Sequence, residues 1–292
     1  MIRPLASLAL GAAFAAVAVS AAPRAVGPAA TTFRVGAVEV VSLRDAVNVV
    51  PNDGKTFGLG HTPAEVAQVL RTRDAPADSI TLGVDQLLVR LPGRLVLIDT
   101  GLGPKVGGTL MQSLSQAGVA PDQITDVLIT HGHPDHVGGL GDANGKPAFP
   151  KAVVHLSAPE WQSIQQGRGM DVVPAIKAQV TTFEPGATVL PGIIAVALPG
   201  HTPGHSGYRI TSGKQSLLVI GDLAHSAVVS LAQPAWPIQY DGDKPQGERT
   251  RVAELAQLAA THQRIFAGHF PYPGVGYVVR SGAGYAFQPE RR

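Results

Sequence analysis

The chain has no cysteine, and that absence bounds its chemistry before any residue present is considered. It excludes disulfides, cysteine nucleophiles and thiolate ligands, so any metal must be held by nitrogen and oxygen donors. Charge is also scarce: 15% of residues are charged and the formal net charge is +2. A nearly neutral chain without basic runs lacks the electrostatic attraction that nucleic-acid binding needs, so no nucleic-acid partner is expected. No repeat of short fixed period is present. What is plentiful is apolar: 45% hydrophobic residues over 292 positions is ample for a sizeable core.

Residues 1–21 carry a single charge, Arg3, then an Ala/Leu/Val-rich run from Leu5 to Val19 and small residues at Val19-Ser20-Ala21. This is the three-part layout of a secretory signal peptide. Pro4 and Gly11 interrupt the run, which weakens it as a membrane span. A periplasmic or secreted protein is expected, with no stable membrane anchor after signal removal. Losing Arg3 leaves 22 Lys+Arg (23 less one) against 21 Asp+Glu. Residues 22–30 read as a Pro/Ala-rich linker and 31–292 as the folded domain.

The densest chemistry is Thr130-His131-Gly132-His133-Pro134-Asp135-His136, with four metal-capable side chains in six residues. The apolar run Ile124–Ile129 leads into it as a buried strand, so the histidines emerge at a strand end, where α/β folds place their sites. His131 and His133 are two apart and, in extended backbone, project to one side; Pro134 biases His133 towards that geometry. Asp135 and His136 follow as the chain turns into a helix and point elsewhere, which suggests two metals. The bland alternative is a polar loop that happens to be histidine-rich.

Other expected strands are Phe33–Val41, Ile80–Leu91, Arg94–Ile98, Ala152–Leu156, Val189–Leu198 broken at Pro191-Gly192, Gly207–Thr211, Ser216–Ile220 and Arg264–Ala267. Helices are expected from Thr62-Pro63 to Arg73, and over Lys105–Ala117, Ala158–Gln166 and Gln246–His262. The segment Asn48–Asp78 reads as an excursion over the sheet edge, a surface connection or a substrate rim. Gly138-Gly139 are expected to allow close backbone passage. Three later strands end in His201, Asp222 and His269. Two β-sheet halves sandwiched between helices satisfy this rhythm.

A two-metal site needs about three protein ligands per ion and a shared group. His131, His133 and His201 are assigned to the first metal, and Asp135, His136 and His269 to the second. Asp222 is the bridge, because a carboxylate can give one oxygen to each ion. Water held between two divalent cations deprotonates near neutral pH, and the resulting hydroxide is the expected nucleophile. Asp135 is a candidate proton donor to a poor leaving group. Asp99, at a strand end, is a candidate for orienting a histidine ligand, or a simple turn residue. His205 is read as a structural loop residue, and His225 as a pocket contact or an ordinary buried histidine. His61, His155 and His262 have no partner pattern. Trp161 and Phe183 are candidates for an aromatic pocket wall, with a core role the alternative for Trp161.

The His131-x-His133-x-Asp135-His136 cluster, followed by His201, Asp222 and His269, resembles the metallo-β-lactamase-fold hydrolase superfamily across nearly the whole mature chain. The resemblance implies an α/β fold, an αβ/βα four-layer sandwich of two mixed β-sheets flanked by helices, with two divalent metal ions, most often Zn and otherwise Mn, Co or Fe. Asp222 where some subgroups have Cys, and Asp135 where others have Glu, disfavours subclass B1 and B2 lactamases and flavodiiron oxidoreductases. Gly221-Asp222-x-x-His225-Ser226, Pro234-x-Trp236, Asp241-x-Asp243, Thr250-Arg251 and Ala267-Gly268-His269-Phe270-Pro271-x-Pro273-Gly274-x-Gly276 look like the methyl parathion hydrolase branch. That branch implies an exported, usually homodimeric enzyme hydrolysing phosphotriesters, lactones or aryl esters of neutral hydrophobic small molecules. An exported subclass B3-like β-lactamase, a glyoxalase II-like hydrolase and a non-catalytic periplasmic metal-binding protein are the alternatives.

Overall fold

The computed structural model describes residues 23–24, 26–167 and 169–291; the expected signal peptide lies outside them. One sheet runs in the order Pro23–Arg24, Val38–Pro51, Ser79–Leu91, Arg94–Ile98, Asp126–Leu128, Val153–Ser157 and Val180–Phe183, with Ala30–Val35 also paired to Val38–Pro51. Its last four strands are mutually parallel. The other sheet runs Gly284–Pro289, Val275–Ser281, Arg264–Phe266, Gln215–Val219, Ser206–Ser212, Ile193–Ala197 and Thr188–Leu190. Gln215–Val219 and Arg264–Phe266 are parallel, joined by the helix Lys244–Thr261.

Strand alternation builds the layers, because successive side chains point to opposite faces. Leu87, Val89, Val96 and Ile98 meet Tyr208, Ile210, Leu217 and Val219 between the sheets. Leu88, Leu97 and Val127 point the other way, onto Leu114, Ile164 and Ile176 of the outer helices. On the second sheet Leu218, Ile265 and Val278 face outward onto Leu255 and Leu258 of the long helix. The result is helix, sheet, sheet, helix, the expected four-layer sandwich of two mixed sheets.

Local departures have local causes. The expected strand Phe33–Val41 is two strands, because Gly36 (φ 57°) turns the chain and Ala37 N–H is caught by Ser212 Oγ at 3.1 Å. The second of them continues to Pro51, into the expected excursion. The part of the expected linker that is described is not featureless: Pro23–Arg24 pairs with Asn48 and Val47, and a strand begins at Ala30. The expected helix Lys105–Ala117 is broken at Gly107-Gly108 and is α-helical only over Leu110–Gln116. Asp45, at a bulge in Val38–Pro51, explains the break: its carboxylate accepts from Leu102 and Leu110 N–H at 2.8 Å each. The closing hairpin Val275–Ser281 and Gly284–Pro289 was not foreseen. Gly138-Gly139 do pass tightly, since a Cβ at these positions would lie 2.3 Å from Leu102 O and 2.1 Å from Thr100 O. Among the described residues no helix is long and apolar enough to cross a membrane.

Candidate metal centre

Parallel strands deliver the first half of the site. Asp126–Leu128 runs into Thr130–His133, His133 itself being extended (φ −72°, ψ 152°), and Pro134 starts a one-turn helix, Pro134–Val137, that carries Asp135 and His136. The second sheet supplies His201 after Ile193–Ala197, Asp222 after Gln215–Val219 and His269 after Arg264–Phe266. The structure therefore brings all seven expected ligand residues together across the seam between the sheets.

They fall into two groups that share Asp222. His131 Nε2, His133 Nδ1 and His201 Nε2 lie 2.8–3.1 Å from one another. Asp222 Oδ2 faces this group, 3.2 Å from His201 Nε2 and 3.5 Å from His131 Nε2. Asp222 Oδ1 faces the other, 3.2 Å from both His136 Nε2 and His269 Nε2, with Asp135 Oδ2 3.6 Å from His269 Nε2.

The surroundings decide which ring nitrogens face inward. His136 Nδ1 donates to Asp99 Oδ2 at 2.8 Å, His201 Nδ1 to Asp241 Oδ1 at 3.0 Å, and His269 Nδ1 to Gly83 O at 2.6 Å. With the proton held on Nδ1, each Nε2 turns a lone pair to the centre. Those lone pairs face one another and a carboxylate with no donor between them. His136 Nε2 and Asp222 Oδ1 are buried without any hydrogen-bond partner. An unsatisfied buried polar group costs about 1–3 kcal/mol, so this convergence of acceptors fits cations and little else. The carboxylates favour positive charge at this place, on a histidine where no cation takes it. Burial depresses His269, but Asp222 and Asp135 outweigh it and carry its pKa up to about 9. Burial and the neighbouring His201 push His133 down to about 3, while Asp222 is held well below the carboxylate range by His136 and His269 despite its burial. The residues fit divalent metal ions bound through nitrogen and oxygen.

Supporting residues were partly foreseen. Asp99 (φ 59°) accepts from Thr130 N–H and Oγ1 at 2.8 Å each as well as from His136, so it orients the loop and a ligand together. Asp99→Asn is expected to weaken metal affinity about 10- to 100-fold in competition with a chromophoric chelator; unchanged affinity would remove this role. His205 is engaged structurally, with Nδ1 on Leu198 O at 2.8 Å and Nε2 accepting Asp222 N–H at 2.9 Å. Glu160 was missed. It matches a Ser157-x-x-Glu160 capping pattern, yet its buried carboxylate accepts from Gly132 N–H, Thr202 Oγ1 and Gly204 N–H, stapling the two histidine loops together. Asp241 and Arg251, noted only as motif members, form a buried pair at 3.0 Å behind His201.

The aromatic wall is not where it was expected. Trp161 packs against the core beneath the first sheet and Phe183 against the core between the sheets. The rings beside the centre are Phe57 and Tyr240, with centroids 6.4 and 5.4 Å from that of His225. Phe57 belongs to the excursion, which is clamped to 237–239 by Gln239 N–H on Thr56 O and Leu59 N–H on Pro237 O. The excursion thus forms part of the rim. His225 is buried, its Nε2 3.1 Å from Asp222 Oδ2, with neither ring nitrogen in a well-formed hydrogen bond.

A strand-built seam with two histidine-carboxylate groups defines a class of metal-dependent hydrolases, and family comparison agrees. Residues 80–286 match the model of the metallo-beta-lactamase superfamily, and the chain belongs to that superfamily. It is 31% identical over 178 residues to metallo-beta-lactamase domain-containing protein 1 of Xenopus laevis, covering 60% of this chain and 66% of that protein. It is 26% identical over 110 residues to an N-acyl homoserine lactonase of Bacillus cereus, covering 37% of this chain and 41% of the lactonase. The chain thus spans about two thirds or less of these relatives. Among solved structures, AidC, a dizinc quorum-quenching lactonase in complex with a product, superposes with TM-score 0.85 at 28% identity, over 91% of this chain and 98% of AidC. The hydrolase AbOPH follows with TM-score 0.82 at 27% identity, over 92% and 99%.

Proposed function

We propose that this protein is an exported, dinuclear zinc hydrolase of neutral hydrophobic substrates, with N-acylated lactones and esters as its first substrate class. The observation that carries it is the split of Asp222, one oxygen to each histidine group. His131, His133, His201 and Asp222 Oδ2 would hold one ion, and Asp135, His136, His269 and Asp222 Oδ1 the other. Two bound divalent ions would supply Lewis acidity at the scissile carbonyl or phosphoryl oxygen and bring the pKa of water from 15.7 to about 7.

The protein's own residues do the rest. Asp99, Asp241 and the Gly83 carbonyl fix the ligand tautomers before any substrate arrives, so no reorganisation is needed during reaction. His225, a buried neutral imidazole with one ring N–H to give, would donate it to the substrate's polar oxygen, and Phe57 and Tyr240 form an apolar wall beside it. Asp135, ionised at rest and with its side chain 24% exposed, is placed to take the proton released by the attacking water and pass it to an alkoxide leaving group. Likeness to lactonases supports the lactone reading. The Gly221-Asp222-x-x-His225-Ser226 motif keeps phosphotriesters of the methyl parathion type as a second substrate class.

Mature protein loaded with Zn or Mn, assayed on an acyl-homoserine lactone, p-nitrophenyl acetate, methyl paraoxon and nitrocefin, is expected to favour the lactone. Dominant nitrocefin turnover would refute the proposal.

A further inference from the structure

Seven residues make up the two metal groups, and an eighth stands among them at ligand spacing. His225 is buried, with neither ring nitrogen in a well-formed hydrogen bond. Its Nε2 lies 3.1 Å from Asp222 Oδ2. Its ring centroid is 5.5 Å from that of His269, and His136, on the other side of His269, stands at 5.4 Å. Its ring is 4.8 Å from that of His201, within the 4.6–4.8 Å that separates His131, His133 and His201 from one another. One donor atom from each of Asp222, His225 and His269 lies within 4.8 Å of the other two. Two imidazoles and a carboxylate are a donor set that zinc takes with three protein ligands. Phe57 and Tyr240 meet the His225 ring through edge and tilted contacts that a phenyl ring would make equally, so packing alone does not call for a histidine. His225 differs from its neighbours in one respect. His136, His201 and His269 each keep a proton on Nδ1 through an acceptor, whereas His225 has none. Its tautomer is free, so Nε2 can carry the proton or turn its lone pair to a cation. Missing such support costs about 10- to 100-fold in metal affinity.

We propose that Asp222, His225 and His269 form a third, weaker cation seat, an alternative to the place that Asp135, His136 and His269 give the second ion. The two seats exclude each other. His269 Nδ1 is committed to Gly83 O, so only Nε2, with its single lone pair, faces the centre. The protein therefore binds two ions and not three, and the second has a fallback when Asp135 or His136 cannot hold it. An ion in the third seat takes the His225 nitrogen beside Asp222 and so competes for it with a substrate oxygen. The proposal rests on the two-ion reading of the centre and does not require hydrolysis.

The test is a double-mutant cycle read in metal affinity rather than turnover. Metal-free wild type, His225→Phe, His136→Ala and the double variant are titrated with zinc against a chromophoric chelator. In the wild-type background His225→Phe is expected to change the second ion's affinity by less than about twofold, because the stronger seat is intact. His136→Ala is expected to keep two equivalents, the second bound about 10- to 100-fold more weakly. In that background His225→Phe is expected to weaken the second ion by at least about tenfold more. Cobalt-loaded His136→Ala protein should also show a hyperfine-shifted, exchangeable imidazole N–H resonance that His225→Phe removes. Equal effects of His225→Phe in both backgrounds would overturn the seat, and so would a His136→Ala protein that binds one ion only. Retention of the first ion shows that a variant is folded; where His136→Ala loses it, Asp135→Ala takes its place in the same cycle. Wild type that binds fewer than two ions overturns the two-ion reading and the seat together, whereas two ions with an additive cycle overturn the seat alone.

Discussion

Asp222→Ala is expected to abolish the two-metal stoichiometry and lower kcat by about three orders of magnitude. The side chain faces both histidine groups at 3.2 Å, so its loss removes a ligand from each ion at once. Losing several kcal/mol of charge stabilisation in the transition state, at 1.36 kcal/mol per decade, corresponds to about 10³ in rate. Elemental analysis of the purified variant should find at most one equivalent of metal per chain. No single histidine should match this effect, because each belongs to one group only. A variant that keeps both ions and its turnover would end the claim that Asp222 is shared.

Arg251→Met should be the most damaging substitution that touches no metal ligand. The guanidinium is buried, pairs with Asp241 Oδ2 at 3.0 Å and donates to Pro234 O at 2.8 Å and Trp236 O at 3.1 Å. It therefore anchors the segment that carries Tyr240 and the carboxylate behind His201. Breaking a buried pair by deleting one partner costs about 3–5 kcal/mol, because the remaining charge is stranded. At about 2–4 °C per kcal/mol for a chain of this size, the melting temperature should fall by roughly 10 °C. Thermal denaturation followed by circular dichroism measures it, and a shift under about 2 °C would show that His201 alone satisfies Asp241.

The layers were legible because period-2 alternation survives in short strands: Leu87 to Val89 and Leu217 to Val219 state which side is inner. The convergence of the candidate ligand residues was legible because metal binding would constrain residue type and put it at strand ends. The supporting residues were less so. Asp99 stood next to a strand end and could be guessed, whereas Glu160 looks like a helix cap and Asp241 is 40 residues from the histidine it holds. Their roles come from tertiary contacts that leave no periodicity. The pocket wall failed for the same reason: Trp161 is apolar at helical spacing and serves the core, while Phe57 reaches His225 only because the excursion is clamped to 237–239. The helix expected from Lys105 was lost to Asp45, a long-range capping group that spacing does not reveal.

The seam that joins the two sheets also sets an order of events during synthesis. His131 is made 138 residues before His269 (269 less 131), and neither group of donors is complete until the second sheet has closed against the first. A nascent chain carrying only the first half has His131, His133, Asp135 and His136 but lacks the shared carboxylate and one histidine for each ion. Tight metal capture would therefore be a late event that reports docking of the halves, and any bound ion would act as a clasp that fastens only once the final strands are in place.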